Sequence, residues 1–595
     1  MGGAASVAVA PSVSCFRDTC NVYVLRSGTD AILVDFGDGD VLDHLDELGV
    51  ERVTDVLLTH HHRDQLGGLD RAVEAGIRIW APPTEVELIA GVDEHWARRQ
   101  IANDYDLRQD RFSLLEPVPV TGAVAEYRTK RYGAFDVYTL PTPGHTHGSV
   151  TYLVESDGRT LAFTGDLVHE DGKVWSLASS QWTYTGVEGW GATVLSCHLL
   201  AQRGPDALLP SHGPPVGDPP AALAGVADRL QELIDLRLPA PWNLAERVRE
   251  PFDPVTPHLL RNRTMFANNY VLLSETGAAL LIDFGYDLTG TAFSTDRAAR
   301  RTLLWSLEAL KRDRGVERID ATLVTHFHDD HVAGLNLVRE IEGAEVWAPA
   351  NVAPILEEPS RYDLPCLWFD PIPVDRVLAL ETSFPWHEYE IGIHPLRGHT
   401  PYAAAIAIDV DGKRVLFTGD NQALDGGRAI LNFQYRNRFA PDDFVQAAEL
   451  YAKLQPDLLL GGHWLPLEVT AELLETLLAD ARRTAELHRE LLPSEGFGTD
   501  GAGARIEPYR ATGPEIDFSV GIRNPFDRDE TAAVRLVVPA GWTVTPPVRE
   551  AELGPHGEAE LEFRVVATGA GRVAADLTVG ETRFGQQAEA LVEQP

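Results

Sequence analysis

Cysteine is scarce in this chain: Cys15, Cys20, Cys197 and Cys366 are the only four in 595 residues. Their spacing makes neither a disulfide framework nor a zinc knuckle, which excludes a small cystine-stapled fold and points to a reducing compartment. Basic residues are also few, 51 Lys and Arg against 89 Asp and Glu, for a formal net charge of −38. Proteins that track a phosphate backbone draw their affinity from Lys and Arg, so this balance argues against a nucleic-acid partner. No stretch stays apolar for the ~20 residues that a membrane span needs. Residues 1–14 carry no basic n-region and only a short Ala/Val run, which makes a poor secretory signal. The expectation is a soluble, cytoplasmic protein without a membrane partner.

What the chain does have is a repeated string of metal-ligand residue types. One copy reads Thr325-His326-Phe327-His328-Asp329-Asp330-His331, then Gly398-His399-Thr400, Thr418-Gly419-Asp420 and Gly462-His463. The other reads Thr59-His60-His61-His62-Arg63-Asp64-Gln65, then Gly144-His145-Thr146, Thr164-Gly165-Asp166 and Ser211-His212. His399 and Asp420 are 21 residues apart, and so are His145 and Asp166. Each fragment alone is weak; four in the same order, twice, indicate a duplicated metal site.

The repeat reaches beyond the ligands. Two β-branched runs around Ser27-Gly28-Thr29-Asp30 predict a hairpin, and residues 269–283 repeat the pattern. Both copies then run into Asp-Phe-Gly, at Asp35-Phe36-Gly37 and Asp283-Phe284-Gly285. Tyr105-Asp106-Leu107 and Tyr362-Asp363-Leu364 are a further echo. Short apolar runs precede each ligand fragment, which places the ligands on loops at strand ends, where a rigid site is built. Helices are expected over 67–75, 334–341, 221–236 and 471–491. Pro-rich sequence at 239–254 and Gly-rich sequence at 494–514 read as linkers. The expected division is therefore 1–238, 255–493 and a small all-β sandwich at 515–595, where charged and apolar residues alternate, as at 558–565.

The chemistry follows from the ligand types. His326 and His328, two apart on a loop, can aim both imidazoles at one cation, and His399 completes a three-His pocket with an open fourth position. Asp330, His331 and His463 make a second pocket beside it, with Asp420 as the carboxylate bridge. Two cations about 3.5 Å apart would share a water and lower its pKa toward about 7.

This HxHxDH…GHT…TGD…GGH pattern resembles the metallo-β-lactamase superfamily and, within it, the glyoxalase-II-like hydrolases. The resemblance covers roughly residues 1–490, and its ligand set is complete in the second copy. It implies an α+β fold: tandem αββα sandwiches, here followed by a module that resembles an immunoglobulin-like β-sandwich. It implies that His326, His328 and His399 bind a first metal and Asp330, His331 and His463 a second. Asp420 would bridge them, and Asp330 would also orient the attacking hydroxide. The expected cofactor is zinc, two ions in the second copy and one or two in the first. The expected reaction is hydrolysis of an ester, thioester, lactone or related bond in a small molecule, mainly in the second copy.

The first copy departs once: Gln65 stands where His331 stands in the second. His60, His62 and His145 are intact, while the second pocket keeps only Asp64, His212 and the bridge Asp166. One metal held tightly and a second weakly or not at all is the expectation, with His61 pointing away. Three other readings stand beside the hydrolase. A single-iron dioxygenase suits a three-His site, best in the first copy; phosphodiesterase or nuclease activity exists in the superfamily; and a non-catalytic metal-loaded scaffold would present the β module to a partner. The duplication also suggests an internal pseudo-dimer. Candidate substrate contacts are Tyr402, just after the His399 fragment, and Arg436 and Arg438, which follow the bridging Asp420. Trp182 and Tyr184 correspond loosely to that stretch in the first copy, and Trp542 reads as core of the β module.

Overall fold

A computed structural model describes residues 6–98, 112–182, 187–237, 244–287, 304–492 and 503–593. Tyr105-Asp106-Leu107, Tyr184, Pro239–Trp242 and residues 494–502 of the 494–514 segment lie outside the described residues. The chain forms two compact units, Met1–Phe252 with Tyr286–Leu310, and Asp253–Gly285 with Lys311–Pro595.

The first unit holds a seven-stranded and a five-stranded sheet. The larger begins as antiparallel hairpins, and Asn21–Ser27 pairs with Asp30–Val34 around the expected turn, Ser27 opposite Asp30. Asp30–Val34, Arg52–Leu57, Arg78–Ala81 and Gly122–Ala123 then run parallel, so helices must return the chain over one face. The smaller sheet is antiparallel except where Arg159–Gly165 lies parallel to Ala207–Pro210. Tyr23, Leu25, Ile32 and Leu57 pack between the sheets against Val137, Tyr152 and Phe163. The outer faces bury Val56, Leu69 and Ile89 on one side, and Leu195, Leu223 and Leu230 on the other. Four layers result: helices, two sheets, helices.

The second unit repeats this plan in a seven-stranded and a six-stranded sheet. Ala278–Ile282 is buried at every position, as expected of a parallel strand covered on both faces. Leu280, Leu323, Ile393, Ile406 and Phe417 meet between the sheets. Asp443–Leu454 and Ala471–Leu491 cover the outer face of the smaller one, burying Ala448, Tyr451 and Leu477. The α+β, doubled αββα architecture expected from the sequence is the one found.

The second unit also carries the all-β module. Its two sheets, of four and five strands, share one core that includes Phe518, Phe563, Val573 and Trp542. The strands begin at Ala504–Glu507 and Arg510–Thr512, inside the segment the sequence reads as linker. The other Pro-rich segment contains the helix Leu244–Arg249, whose Leu244 and Val248 are buried in the first unit's core. Trp305, from the Tyr286–Leu310 segment, is buried in that core too.

Candidate metal centres

In the second unit every expected ligand follows the C-terminal end of a strand. Arg318–Leu323 leads to His326 and His328, Tyr389–Pro395 to His399, Lys413–Gly419 to Asp420, and Leu458–Gly461 to His463. Asp330 and His331 sit on the single turn Asp329–Val332. Ligand atoms of His326, His328, His399 and Asp420 lie within 4.8 Å of one another, and so do those of Asp330, His331, Asp420 and His463. Asp420 belongs to both groups. Its carboxylate stands 3.3 Å from His331 Nε2 and 3.1 Å from His463 Nε2, and Asp330 is 3.1 Å from His463 Nε2.

The Nδ1 side of His331, His399 and His326 is already occupied. His331 Nδ1 donates to Asp283 Oδ2 at 2.8 Å, and His399 Nδ1 donates to the Asn432 carbonyl at 2.8 Å. Asp283 also accepts from the Thr325 amide and hydroxyl, both at 2.7 Å, and Thr325 Oγ1 is 3.2 Å from His326 Nδ1. Asn437 Nδ2 donates to the His399 carbonyl at 2.8 Å. Such outer partners fix ring orientation and tautomer so that Nε2 is left for a cation. The Nε2 atoms of His326, His328 and His331, and Asp420 Oδ1, are buried with no hydrogen-bond partner. Orphaned buried atoms of this kind are costly unless something binds them. The donor set, nitrogen and carboxylate oxygen facing inward from fixed loops, fits a pair of divalent cations.

Electrostatics divide the two pockets. Burial, reinforced by the neighbouring histidines, holds His326 well below the usual histidine range, and burial pushes His328 down to about 3. In the second pocket burial is outweighed by carboxylates: Asp420 and Asp330 push His463 up to about 10, and His331 is likewise raised. Burial opposes ionisation of Asp420 as well, but His463 and His331 hold its carboxyl well below the ordinary range.

The first unit has the same frame with different contents. Ligand atoms of His60, His62 and His145 cluster within 4.8 Å, with Asp166 Oδ2 3.6 Å from His60 Nε2 and 3.4 Å from His145 Nε2. His212 joins Asp166 at 2.8 Å and Asp64 at 3.1 Å. The Gln65 amide, in its better-satisfied orientation, donates to Asp64 Oδ1 at 2.8 Å and to the His62 carbonyl at 3.2 Å. Asp35, which corresponds to Asp283, has no histidine partner among the described residues. It accepts from the Thr59 amide and hydroxyl and from the hydroxyl of Ser211. Burial pushes its carboxyl up to about 7 against those hydrogen bonds. Both aspartates hold the same left-handed backbone, φ 57° and 55°.

Sequence comparison agrees with this geometry. A profile described as "Metallo-beta-lactamase superfamily" matches residues 16–221 and again 263–463, together well over half of the chain. The chain belongs to the metallo-β-lactamase superfamily. It is 28% identical over 159 residues to "Probable metallo-hydrolase YqgX" of Bacillus subtilis, covering 26% of this chain and 67% of that protein. It is 31% identical over 150 residues to a hydroxyacylglutathione hydrolase of Halorhodospira halophila, covering 24% of this chain and 45% of that one. The crystal structure of the DIM-1 metallo-β-lactamase aligns at 18% identity and TM-score 0.30, over 39% of this chain and 96% of that one.

Within this superfamily frame, several residues with a visible role carry no individual signature. Asp35 and Asp283 orient the sites; the repeated Asp-Phe-Gly showed them as part of the duplication but gave them no role. Asn432 and Asn437 support His399 and had none. Trp175 stacks on His212, ring centroids 4.1 Å apart and 3° from parallel. With Phe112 it walls a cavity of about 510 Å³ that is also lined by His62, Asp64 and His145. His61 does turn away, to Glu85 Oε2 at 3.2 Å, and Glu85 in turn accepts from Thr146 and the Gly148 amide. The counterparts Phe327 and Val352 are apolar, so this buried pair belongs to the first unit alone. Arg436 and Arg438 reach Asp363, at 3.7 and 3.6 Å. Tyr402 and Arg438 line a second cavity whose walls include none of the ligands. Trp182 is buried beside His147, ring centroids 4.0 Å apart. Among the described residues no helix is long and apolar enough to cross a membrane.

Proposed function

We propose that this chain is a metal-dependent hydrolase whose second unit cleaves an ester, thioester, lactone or related acyl bond of a small molecule. The observation that carries this reading is the complete ligand set there, two groups of four ligand atoms each within 4.8 Å and sharing Asp420, with His326 Nε2, His331 Nε2 and Asp420 Oδ1 buried and without hydrogen-bond partners. His326, His328 and His399 would hold one cation, Asp330, His331 and His463 a second, with Asp420 between them; zinc suits these donors. Bound there, the cations supply a water ionised near neutral pH and an electrophile for the carbonyl oxygen. Asp330, 3.1 Å from His463 Nε2, would orient such a water and take up its proton. The similarity to proteins named as a metallo-hydrolase and a hydroxyacylglutathione hydrolase supports this class of reaction.

The first unit supports a second, narrower reading. Gln65 replaces a ligand and pins Asp64, while the three histidines and Asp166 remain, which favours one cation in place of two. Whether that ion is zinc or iron decides between a further hydrolytic site and an oxidoreductase.

The test is a panel of ester, thioester and lactone substrates with metal-reconstituted protein. Asp330→Ala should lower kcat by roughly 10²–10⁴, the usual contribution of a positioned general base. Activity unchanged by both Asp330→Ala and His326→Ala would overturn the assignment to the second unit.

A further inference from the structure

The second unit contains a cavity of about 530 Å³ between its metal-ligand lobe and its all-β module. That size lies in the range of small-molecule sites. Four guanidinium groups line it, Arg397 and Arg438 from the metal lobe and Arg505 and Arg523 from the β module, with Glu558 and Glu560 as the acidic residues of its wall. The wall therefore carries four guanidinium groups against two carboxylates, in a chain of net charge −38.

The guanidinium groups are pre-positioned. Arg397 pairs with buried Asp443 at 3.1 Å, Arg438 donates to the Asp363 carbonyl at 2.8 Å, and Arg505 donates to Glu560 at 2.9 Å. Arg523 is the least satisfied. Its Nε is buried with no hydrogen-bond partner, and the Glu558 carboxylate is 3.9 Å away. Anchoring a guanidinium through one edge reduces the entropy lost when its remaining N–H groups meet an anion. The two walls are tied across the boundary by Arg361, whose side chain pairs with Glu507 at 3.2 Å and whose carbonyl accepts from the Tyr509 amide at 2.7 Å. Phe439 and several prolines supply apolar surface between the charges.

We infer that this cavity binds a small organic anion, with a phosphate or carboxylate group on an apolar body, and that the β module is present in part to complete the site. Fork-like guanidinium recognition of planar or tetrahedral oxyanions is the interaction such a lining offers. The site is distinct from the metal centre yet adjoins it through Asn437, the neighbour of Arg438, which donates to the His399 carbonyl. The inference does not depend on the reaction proposed above.

The test uses the full-length, metal-loaded protein and naphthalene-1,5-disulfonate, a fluorescent dianion with little affinity for metal ions. Saturable binding of one probe per chain is expected, weakened roughly tenfold or more in Arg505→Gln/Arg523→Gln, since each lost contact is a charge-assisted hydrogen bond. Glu560→Gln should tighten binding, a gain that loss of folding cannot mimic. His326→Ala should leave it unchanged. Phenylphosphonate and benzoate as competitors then distinguish the head group, and displacement by either supports the inference. No saturable binding, binding insensitive to Arg505, Arg523 and Glu560, loss in His326→Ala, or displacement by neither competitor would overturn it.

Discussion

The carboxylate of Asp283 accepts a hydrogen bond from His331 Nδ1 at 2.8 Å, and it is this bond that aims His331 Nε2 at Asp420. In the first unit His331 has become Gln65, and the corresponding Asp35 takes the Ser211 hydroxyl instead. Ser211 stands where the second unit has Gly462, and a Cβ on Gly462 would lie 2.0 Å from Asp420 Oδ1 and 2.7 Å from His331 Cε1. The two differences go together: where His331 and Asp420 crowd the position opposite them there is glycine, and where Gln65 replaces the histidine there is serine.

Asp283→Asn should weaken binding of the second cation in the second unit by about 10–100-fold, the usual effect of removing a partner that orients a ligand. Titration of metal-free protein with zinc would show it as a selective loss of the weaker phase, with the three-His phase kept.

Gly462→Ala should have a similar effect for a steric reason, since the added methyl must displace either His331 or the bridging Asp420. Metal content falling by about one ion per chain, with the fold retained by circular dichroism, is the expected outcome. Normal content would mean that the loop relaxes freely.

The converse experiment builds a site. Gln65→His alone should gain little, because Ser211 occupies the space and Asp35 is already engaged. Gln65→His with Ser211→Gly should raise metal content by one ion per chain, read by elemental analysis in a His326→Ala background.

Metal loading should depend on pH differently in the two pockets. His326 and His328 are held below the ordinary histidine range, so the three-His pocket needs to lose no proton from them near neutral pH. His463 is pushed up to about 10 and His331 is raised, so cations must displace their protons. Between pH 6 and 8, apparent affinity of the second pocket should rise by about tenfold per pH unit for each proton displaced. Calorimetry in buffers of different ionisation enthalpy would count those protons.

The ligands could be read in the sequence because metal chemistry restricts both their type and their position at strand ends. The αββα layers followed from the family resemblance that those ligands carry. What sits behind the ligands was less legible. Asp283 lies 48 residues from His331, and an Asp ending an apolar run looks like an ordinary turn residue. Arg436 and Arg438 read as contacts for an anionic substrate, and nothing in the sequence showed that Asp363 stands beside both, at 3.7 and 3.6 Å. The helix Leu244–Arg249 is too short to show periodicity between the prolines that flank it. The first β-module strands, Ala504–Glu507 and Arg510–Thr512, are each four residues or fewer and flanked by glycine and proline, which disguised them as linker.

The most direct test of the whole account is metal stoichiometry paired with hydrolysis for the wild type, His60→Ala and His326→Ala. The account predicts about three cations per chain, two of them lost with His326 together with activity, and one lost with His60 with activity largely kept. Hydrolysis that survives His326→Ala and disappears with His60→Ala would contradict it and move the chemistry to the first unit.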